Sequence, residues 1–338
     1  MRPSPSSDAG SVAGESEGVD ESLLNGNLAR LSSADLRYLK ELRTEPPIGT
    51  QPLEEERERM RRGQTGDLGS FAVQMETYQT AFCPVHILRP REASGPLPVT
   101  FYFHGGGWTL GDLKTHAKLV SQLAIRSRSA LAFMEYPLAP EHAYPAPLEA
   151  CISAVAEVLR LGPSFGLDSN RCGFVGDSSG GNLCLAYAML AKDRRLFVPQ
   201  TQVLLYPAVD ASLSLPSHHR FANNPNLGRQ TMEWFWSNYV ADVSMRESPL
   251  VSPLHAGEDA FAACPPTLIV SCEYDILRDE AEQMAARLIR AGVEVVAVRW
   301  LGVLHGFVVN EALSGSAAAQ ACVNFVAQHL VAAYDIGH

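Results

Sequence analysis

The stretch Cys-Gly-Phe-Val-Gly-Asp-Ser-Ser-Gly-Gly-Asn, residues 172–182, decides the fold. Its first four residues form a short apolar run, which is typical of a strand buried within a sheet. Glycines then surround Ser178 in G-x-S-x-G spacing, and a helical segment follows. A sharp turn from strand to helix leaves no room for side chains, so glycines must flank the serine. The stretch therefore predicts a turn that presents a reactive hydroxyl; the alternative is a Gly/Ser-rich turn without chemistry.

Beyond residue 71 the chain alternates between apolar runs and helical patterns. Strands are predicted at residues 71–78, 81–88, 99–103, 131–135, 172–175, 203–206, 267–271 and 293–300. Helices are predicted near residues 114–127, 145–159, 179–191, 278–291 and 315–333. The first two strands are expected to pair antiparallel. The alternation that follows predicts an α/β fold with a mostly parallel central sheet flanked by helices.

Three regions are expected along the chain. Residues 1–25 are rich in Ser, Gly and acidic residues and predict a disordered tail, whereas residues 26–70 predict N-terminal helices that join a cap. Residues 71–338 form the catalytic domain, with an aromatic cap insertion at about 209–245 that encloses a pocket or is buried for packing alone. The charged run at residues 53–62 predicts a solvated helix face with Glu55–Arg59 and Glu58–Arg62 pairs.

Composition excludes several classes of protein. The 338 residues include 27 Lys and Arg against 37 Asp and Glu, a formal charge of −10, and so disfavour nucleic-acid binding. Seven cysteines without a CxxC pair indicate free thiols in a reducing compartment. The polar N-terminus has no apolar core of a signal peptide, and no run is long enough to span a membrane. We therefore expect a soluble cytoplasmic protein.

A second glycine-rich motif, His104–Gly105–Gly106–Gly107–Trp108, follows the predicted strand at residues 99–103. Consecutive glycines leave backbone N–H groups uncovered, and with the N–H of Ser179 they can hold the oxyanion of a tetrahedral intermediate. A phosphate-binding turn is the alternative, but neither GK[ST] nor GxGxxG spacing is present. His104 is expected to be a structural anchor beneath this loop.

A reactive serine needs a base, which in this arrangement follows an acid along the chain. Asp275 and His305 each lie just past a predicted strand, in that order. A neutral imidazole accepts the serine proton, and a buried carboxylate fixes its tautomer. Asp279 and Glu280 are the competing acids, but both lie within the next predicted helix. No histidine pair has metal-ligand spacing, so no metal is expected.

These motifs together resemble the hormone-sensitive-lipase-like branch of the α/β-hydrolases over about residues 70–330. The resemblance rests on the motifs HGGGW (104–108), EYPLAPEHAYPAPLEA (135–150), GDSSGGN (176–182), SPLVSPL (248–254), DILRDE (275–280) and HGF (305–307). It implies a serine esterase that needs no cofactor and acts on small-molecule esters of short to medium acyl chain. Ser179 stands where this family usually has Ala, and Leu301 replaces a common Pro.

The resemblance implies the site residues by role. They are the nucleophile Ser178, the base His305, the orienting acid Asp275, and the oxyanion donors Gly106, Gly107 and Ser179. Among the aromatic residues, Trp108, Trp234 and Trp236 are expected to contact substrate. An amidase, formamidase or deacetylase with the same triad is an alternative. A non-enzymatic ligand receptor is disfavoured because such proteins have lost the histidine that this chain retains. A homodimer is a further expectation.

Overall fold

The computed structural model describes residues 31–64, 66 and 68–335, so the predicted tail at residues 1–25 lies outside the described residues. Eight strands form one sheet in the order β1-β2-β4-β3-β5-β6-β7-β8. Its strands are β1 (Val73–Gln79), β2 (Pro84–Pro90), β3 (Leu97–Phe103), β4 (Ala130–Met134), β5 (Leu167–Asp177), β6 (Thr201–Leu205), β7 (Thr267–Tyr274) and β8 (Val295–Leu304). Strand β2 pairs antiparallel with β1 and β4, and the remaining pairs are parallel. The predicted mostly parallel sheet is confirmed.

Helices cover both faces of this sheet. The α-helices are α1 (Ser33–Leu42), α2 (Leu53–Arg62), α3 (Leu113–Ser127), α4 (Ala146–Leu161), α5 (Ser179–Arg194), α6 (Pro216–Arg220), α7 (Arg229–Tyr239), α8 (Arg278–Arg290), α9 (Glu311–Ser314) and α10 (Ala317–Ala333). Two pairs of these helices, α1 with α2 and α6 with α7, lie before β1 and between β6 and β7 in the chain. Because β3, β4 and β6 are buried along their whole length, their sequences are continuous apolar runs rather than alternating ones. None of the described helices is long and apolar enough to cross a membrane.

Local chemistry explains where the two N-terminal helices begin and end. The side chain of Ser32 caps α1 by accepting the backbone N–H of Asp35, and the Asp35 carboxylate accepts the backbone N–H of Ser32. Three acidic residues occupy the first turn of α2 and three arginines its last, which matches the helix dipole. Within α2 the ion pairs form at i,i+3, between Glu56 and Arg59 among others, and not at the predicted i,i+4 spacing.

Helix α2 has the predicted solvated face, on which Glu54, Glu55 and Glu58 are exposed, but its other face is packed against the protein. Glu56 is buried and accepts hydrogen bonds from the backbone N–H groups of Gly49 and Gln51. Arg57 donates to the backbone carbonyl of Thr109 at 3.1 Å and to both carboxylate oxygens of Glu141 at 2.8 Å. Arg57 and Arg61, two of the eight charged residues in this run, have partners more than 50 positions away, which a local charge pattern does not indicate. Helix α2 is therefore docked against the segment that follows the HGGGW motif.

Candidate active site

Ser178 lies at the turn between β5 and α5 with φ = 53°, a backbone conformation that is strained for a residue other than glycine. The flanking glycines are required by space. A Cβ atom at Gly176 would meet the backbone of Gly180, and a Cβ atom at Gly180 would meet the backbone of Phe103. The hydroxyl of Ser178 is thereby presented at the N-terminus of α5, where the helix dipole favours negative charge.

The structure brings Ser178, His305 and Asp275 into one hydrogen-bonded line. His305 Nε2 lies 3.1 Å from Ser178 Oγ, and His305 Nδ1 lies 2.7 Å from Asp275 Oδ2. Because a carboxylate only accepts, the proton resides on Nδ1 and Nε2 is free to accept from the serine. Asp275 is fully buried, and its other oxygen accepts the backbone N–H of Leu277 at 2.9 Å. This is the arrangement in which a serine hydroxyl becomes a nucleophile.

The competing acids lie elsewhere. Asp279 accepts a hydrogen bond from the backbone N–H of Ser217 and one from Arg278, and Glu280 contacts His218. The carboxylate bonded to His305 is that of Asp275.

The HGGGW loop is held beside the serine by a buried carboxylate. Asp177 accepts hydrogen bonds from the backbone N–H of Gly105 and from the hydroxyl of Tyr102, both at 2.8 Å. Burial by itself raises the pKa of Asp177, but the charge of His116 and the bonded donors outweigh burial, so that the pKa lies below its ordinary value. An ionised acceptor at this point fixes the start of the loop.

His104 is buried beneath the same loop, with its ring stacked on Tyr136 at 4.1 Å between ring centres. Burial, together with the charge of His116, lowers the pKa of His104 to about 4. Its Nδ1 atom lies 2.8 Å from the backbone carbonyl of Gly105. A neutral ring in this position matches the anchor expected from the sequence.

Ser179 joins the turn after β5 to the far end of the HGGGW loop. Its hydroxyl accepts the backbone N–H of Trp108 at 3.2 Å, and it is also a hydrogen-bond partner of Tyr136. Tyr136 in turn donates to the backbone carbonyl of His104 at 2.6 Å. Trp108 has φ = 56°, so a strained residue is held by this contact. Both ends of the loop are thus tied to one side chain.

A cavity of about 690 Å³ opens above Ser178. Gly106, Gly107, Ser178, Ser179 and His305 line its floor. Apolar side chains from the insertion at residues 209–245, the N-terminal region and the segment after His305 form much of its walls. Charged side chains of α1, α2 and the segment between them also line it. These wall residues include Leu42, Ile48, Met60, Leu227, Met232, Phe235 and Val309, with Glu41, Glu45, Arg59 and Arg62. The cavity is large enough to hold a small organic molecule beside Ser178.

Of the three predicted tryptophans, Trp234 and Trp236 lie outside the cavity lining, and only Trp108 belongs to it. Residue 108 borders the cavity, but its side chain is fully buried and stacked on Tyr239 at 4.2 Å. Trp236 is buried against Trp108, and Trp234 packs over Gly49. Neither Trp234 nor Trp236 belongs to the cavity lining. Their neighbour Phe235 does, and it leaves no space for a side chain at Gly107.

Helical periodicity explains this difference. Residues 232 and 235 are three positions apart and share one face of α7, which is the face turned toward the cavity. Residues 234 and 236 each lie about 100° away from 235 around the helix axis. The sequence identified the aromatic helix but not its orientation, which tertiary packing determines.

Two asparagines of the insertion at residues 209–245 bond to the backbone beside the catalytic acid and base, which the sequence does not indicate. Asn226 donates to the backbone carbonyl of His305 at 2.9 Å, and Asn224 donates to the backbone carbonyl of Tyr274 at 3.1 Å. Both lie in the segment Ala-Asn-Asn-Pro-Asn-Leu-Gly, residues 222–228, which has the composition of an ordinary loop. No pattern in the sequence connects Asn226 with His305, 79 positions away, or Asn224 with Tyr274, 50 positions away.

One cluster has the residue types of a metal site. The ligand atoms of Asp210, His218 and Glu280 lie within 4.8 Å of one another. However, His218 Nδ1 accepts the backbone N–H of Leu215, so Nε2 carries the proton and donates to Glu280 at 2.9 Å. A protonated nitrogen has no lone pair for a cation. Burial raises the pKa of Glu280 to about 7, and the bond from His218 opposes that rise. The cluster is a buried hydrogen-bonded bridge between the cap and α8.

With this geometry established, comparison with known proteins assigns the chain to a class. Residues 100–309 match the family model described as alpha/beta hydrolase fold, and the chain belongs to that family. This match spans the strand-end loops that carry all three members of the hydrogen-bonded line.

The particular relatives are esterases and hydrolases. A putative alpha/beta hydrolase of Acanthamoeba polyphaga mimivirus is 36% identical over 244 residues, 72% of this chain and 70% of the relative. A carboxylesterase of Mycobacterium tuberculosis is 36% identical over 239 residues, 70% of this chain and 75% of the relative. The crystal structure of a thermostable esterase from Pseudomonas putida superposes with a TM-score of 0.86 at 31% identity, covering 91% of this chain and 98% of that one.

Proposed function

We propose that the protein is a serine carboxylesterase that hydrolyses short- to medium-chain esters through an acyl-enzyme formed on Ser178. The observation that carries the proposal is the line from Ser178 Oγ through the imidazole of His305 to the buried Asp275, at the floor of an open cavity. At the level of reaction class, the prediction of a carboxylic-ester hydrolase is confirmed by esterase relatives in sequence and in structure.

The reaction follows from the positions of these groups. Ser178 attacks the ester carbonyl carbon while His305 Nε2 takes the hydroxyl proton, and Asp275 stabilises the imidazolium that forms. The backbone N–H groups of Gly106, Gly107 and Ser179 hold the oxyanion of the tetrahedral intermediate. His305 then returns the proton to the leaving alcohol. Water attacks the acyl-enzyme by the same sequence of proton transfers, which releases the acid and regenerates Ser178.

The alternatives from the sequence are weighed by the same geometry. The imidazole of His305 lies within hydrogen-bond distance of Ser178, which supports an enzyme rather than a receptor. An amidase would use the same groups, and turnover of N-acyl compounds separates the two activities. We assign the chain to the hormone-sensitive-lipase-like branch on its HGGGW and GDSSGG motifs.

The cellular compartment of the protein is proposed from its sequence and from the burial of its cysteines. All seven cysteines are free thiols, and six of them are buried, which supports a reducing compartment such as the cytoplasm. A homodimer and the absence of a cofactor remain predictions. The cap, made of the N-terminal helices and the insertion at residues 209–245, is proposed to supply the walls that select the acyl and alcohol groups.

The proposal is tested with purified protein and a panel of p-nitrophenyl esters, lactones and N-acyl compounds. Ser178→Ala is expected to fold normally and to lose roughly four orders of magnitude or more in p-nitrophenyl acetate turnover, because the nucleophile is gone. Ser121→Ala is the control for removal of a serine hydroxyl, since Ser121 lies buried in α3 away from the site. Undiminished turnover by Ser178→Ala would exclude Ser178 as the nucleophile.

A further inference from the structure

The start of the cap insertion is bonded to the segments that carry the catalytic acid and base. Ser217 donates through its hydroxyl to the backbone carbonyl of Ile276 at 2.7 Å, and its backbone N–H donates to Asp279 at 2.8 Å. His218 donates to Glu280 at 2.9 Å. Helix α6 therefore rests on residues 276–280, directly after Asp275. These contacts support the backbone beside Asp275 but do not reach the backbone of His305, which bonds to a different group.

That group is in the segment after α6. Asn224 is buried and donates to the backbone carbonyl of Tyr274, the residue before Asp275. The Oδ1 atom of Asn224 accepts the backbone N–H of Asn226 at 3.0 Å, and Asn226 donates through Nδ2 to the backbone carbonyl of His305 at 2.9 Å. The chain of bonds runs from the backbone beside the acid to the backbone of the base. It closes a ring around the 2.7 Å contact between His305 and Asp275.

The backbone at His305 needs such an anchor. The next residue, Gly306, has φ = 73° and open space where a side chain would be, so little packs against this point of the loop. A tight turn follows, in which the N–H groups of Val309 and Asn310 both bond to the carbonyl of Gly306. The carbonyl of His305 points away from that turn to Asn226. The imidazole itself contacts Asp275, Ser178 and the ring of Tyr206, whereas the backbone carbonyl of His305 is bonded by Asn226.

We propose that Asn226 is a positioning residue that holds the imidazole of His305 between Asp275 and Ser178. The proposal rests on the proposed function, in which His305 is the base. Asn226 acts through the backbone of His305 and does not itself react. Because small displacements of a catalytic group lower the rate of the chemical step, loss of this donor lowers kcat and leaves substrate affinity nearly intact.

The competing explanation is that Asn226 binds substrate, since it also borders the cavity. The two roles separate in steady-state kinetics. A substrate contact would raise KM, whereas a positioning residue lowers kcat. They also separate in a double-mutant cycle, because a residue that acts through His305 has no effect once the imidazole is removed.

The experiment measures p-nitrophenyl acetate hydrolysis by the full chain and by Asn226→Ala, Asn226→Asp, His305→Ala and Asn226→Ala/His305→Ala. Asn226→Asp keeps the shape and, when ionised, removes the donor, so it serves if the alanine variant folds poorly. Asn238→Ala is the control, an asparagine of the same cap on α7 whose Nδ2 has no hydrogen-bond partner among the described residues. Each variant is assayed at its own pH optimum.

Asn226→Ala and Asn226→Asp are each expected to lower kcat about tenfold, the size of one lost hydrogen bond expressed in the transition state, with KM within about twofold of wild type. In the His305→Ala background the effect of Asn226→Ala should vanish. A rise in KM alone, an equal loss in both backgrounds, or unchanged kcat would overturn the proposal. If Ser178→Ala abolishes turnover while Asn226→Ala is silent, the positioning role fails and the esterase assignment stands.

Discussion

Removal of the Ser179 hydroxyl isolates one structural contribution to the oxyanion site. Ser179→Ala keeps the backbone N–H proposed to bind the oxyanion but deletes the acceptor for the N–H of Trp108, 3.2 Å away. Because Ser179 and Trp108 are both fully buried, water cannot take the place of the serine hydroxyl as acceptor for the N–H of Trp108. An unpaired buried N–H costs about 1–3 kcal/mol. The loss also removes a hydrogen bond that helps to keep the backbone of Trp108 in its strained conformation.

The loop responds in one of two ways, and each has a measurable size. If the loop stays in place, the full cost appears as lower stability. If the loop relaxes, the donors at Gly106 and Gly107 move, and one misplaced oxyanion donor is worth up to about 2.7–4 kcal/mol in kcat. A cost of about 1.4 kcal/mol transferred to the transition state lowers kcat tenfold. We expect kcat to fall about five- to thirtyfold, with KM nearly unchanged.

The assay compares kcat and KM for p-nitrophenyl acetate with the inhibition constant of a trifluoromethyl ketone, which forms a charged tetrahedral adduct on a catalytic serine. The inhibition constant should rise in proportion to the loss in kcat/KM, because both depend on the oxyanion donors. The control is again Ser121→Ala, a buried serine whose hydroxyl has no partner among the described residues. A lower melting temperature with unchanged kcat and unchanged inhibition would refute the reasoning, because the hydroxyl would then serve stability alone.

Two further predictions concern the cavity wall and the buried histidine. Phe235→Ala should raise the ratio of kcat/KM for p-nitrophenyl octanoate to that for p-nitrophenyl acetate about tenfold, because it widens the cavity beside Gly107. Trp234→Ala is the control and should leave the preference for acyl-chain length unchanged. A larger change in Trp234→Ala than in Phe235→Ala would exclude Phe235 as the residue that limits acyl-chain length. Burial lowers the pKa of His104 from 6.5 to about 4, so between these pH values the unfolded chain binds more protons than the folded protein. The free energy of unfolding of the wild type therefore rises with pH across that window, by roughly 3 kcal/mol. His104→Phe keeps the stacking and should flatten this part of the stability curve in chemical unfolding; equal slopes for the two proteins would contradict the buried neutral imidazole.

The sequence predicts those parts of the molecule that depend on local chemistry. Glycines around Ser178 and after residue 104 indicate tight turns at strand ends, and parallel strands bring such ends to one edge of the sheet. Asp275 and His305 could therefore be placed before any coordinates. The positions of the buried strands along the chain were also predictable, since such strands are written as continuous apolar runs.

The walls and supports of the site were not predictable in this way. The orientation of α7 decides that Phe235 and not Trp236 faces the cavity, and packing against Trp108 and Tyr239 sets that orientation. The partners of Glu56 and Arg57 were hidden for a similar reason, because a charged helix looks the same in sequence whether it is solvated or docked. Asn226 acts across a large sequence separation, which no local pattern reports.

Helix α2, docked through Arg57, has a consequence for how this kind of enzyme diversifies. The part of the chain that matches the family model is residues 100–309, which contain every group proposed to make or break a bond. Residues 38–64, which precede that part, supply a large share of the cavity wall. Substitutions there can change which molecules are admitted while the reacting atoms keep their places. Evolution, or a protein engineer, can thus exchange the substrate preference and the reaction machinery separately.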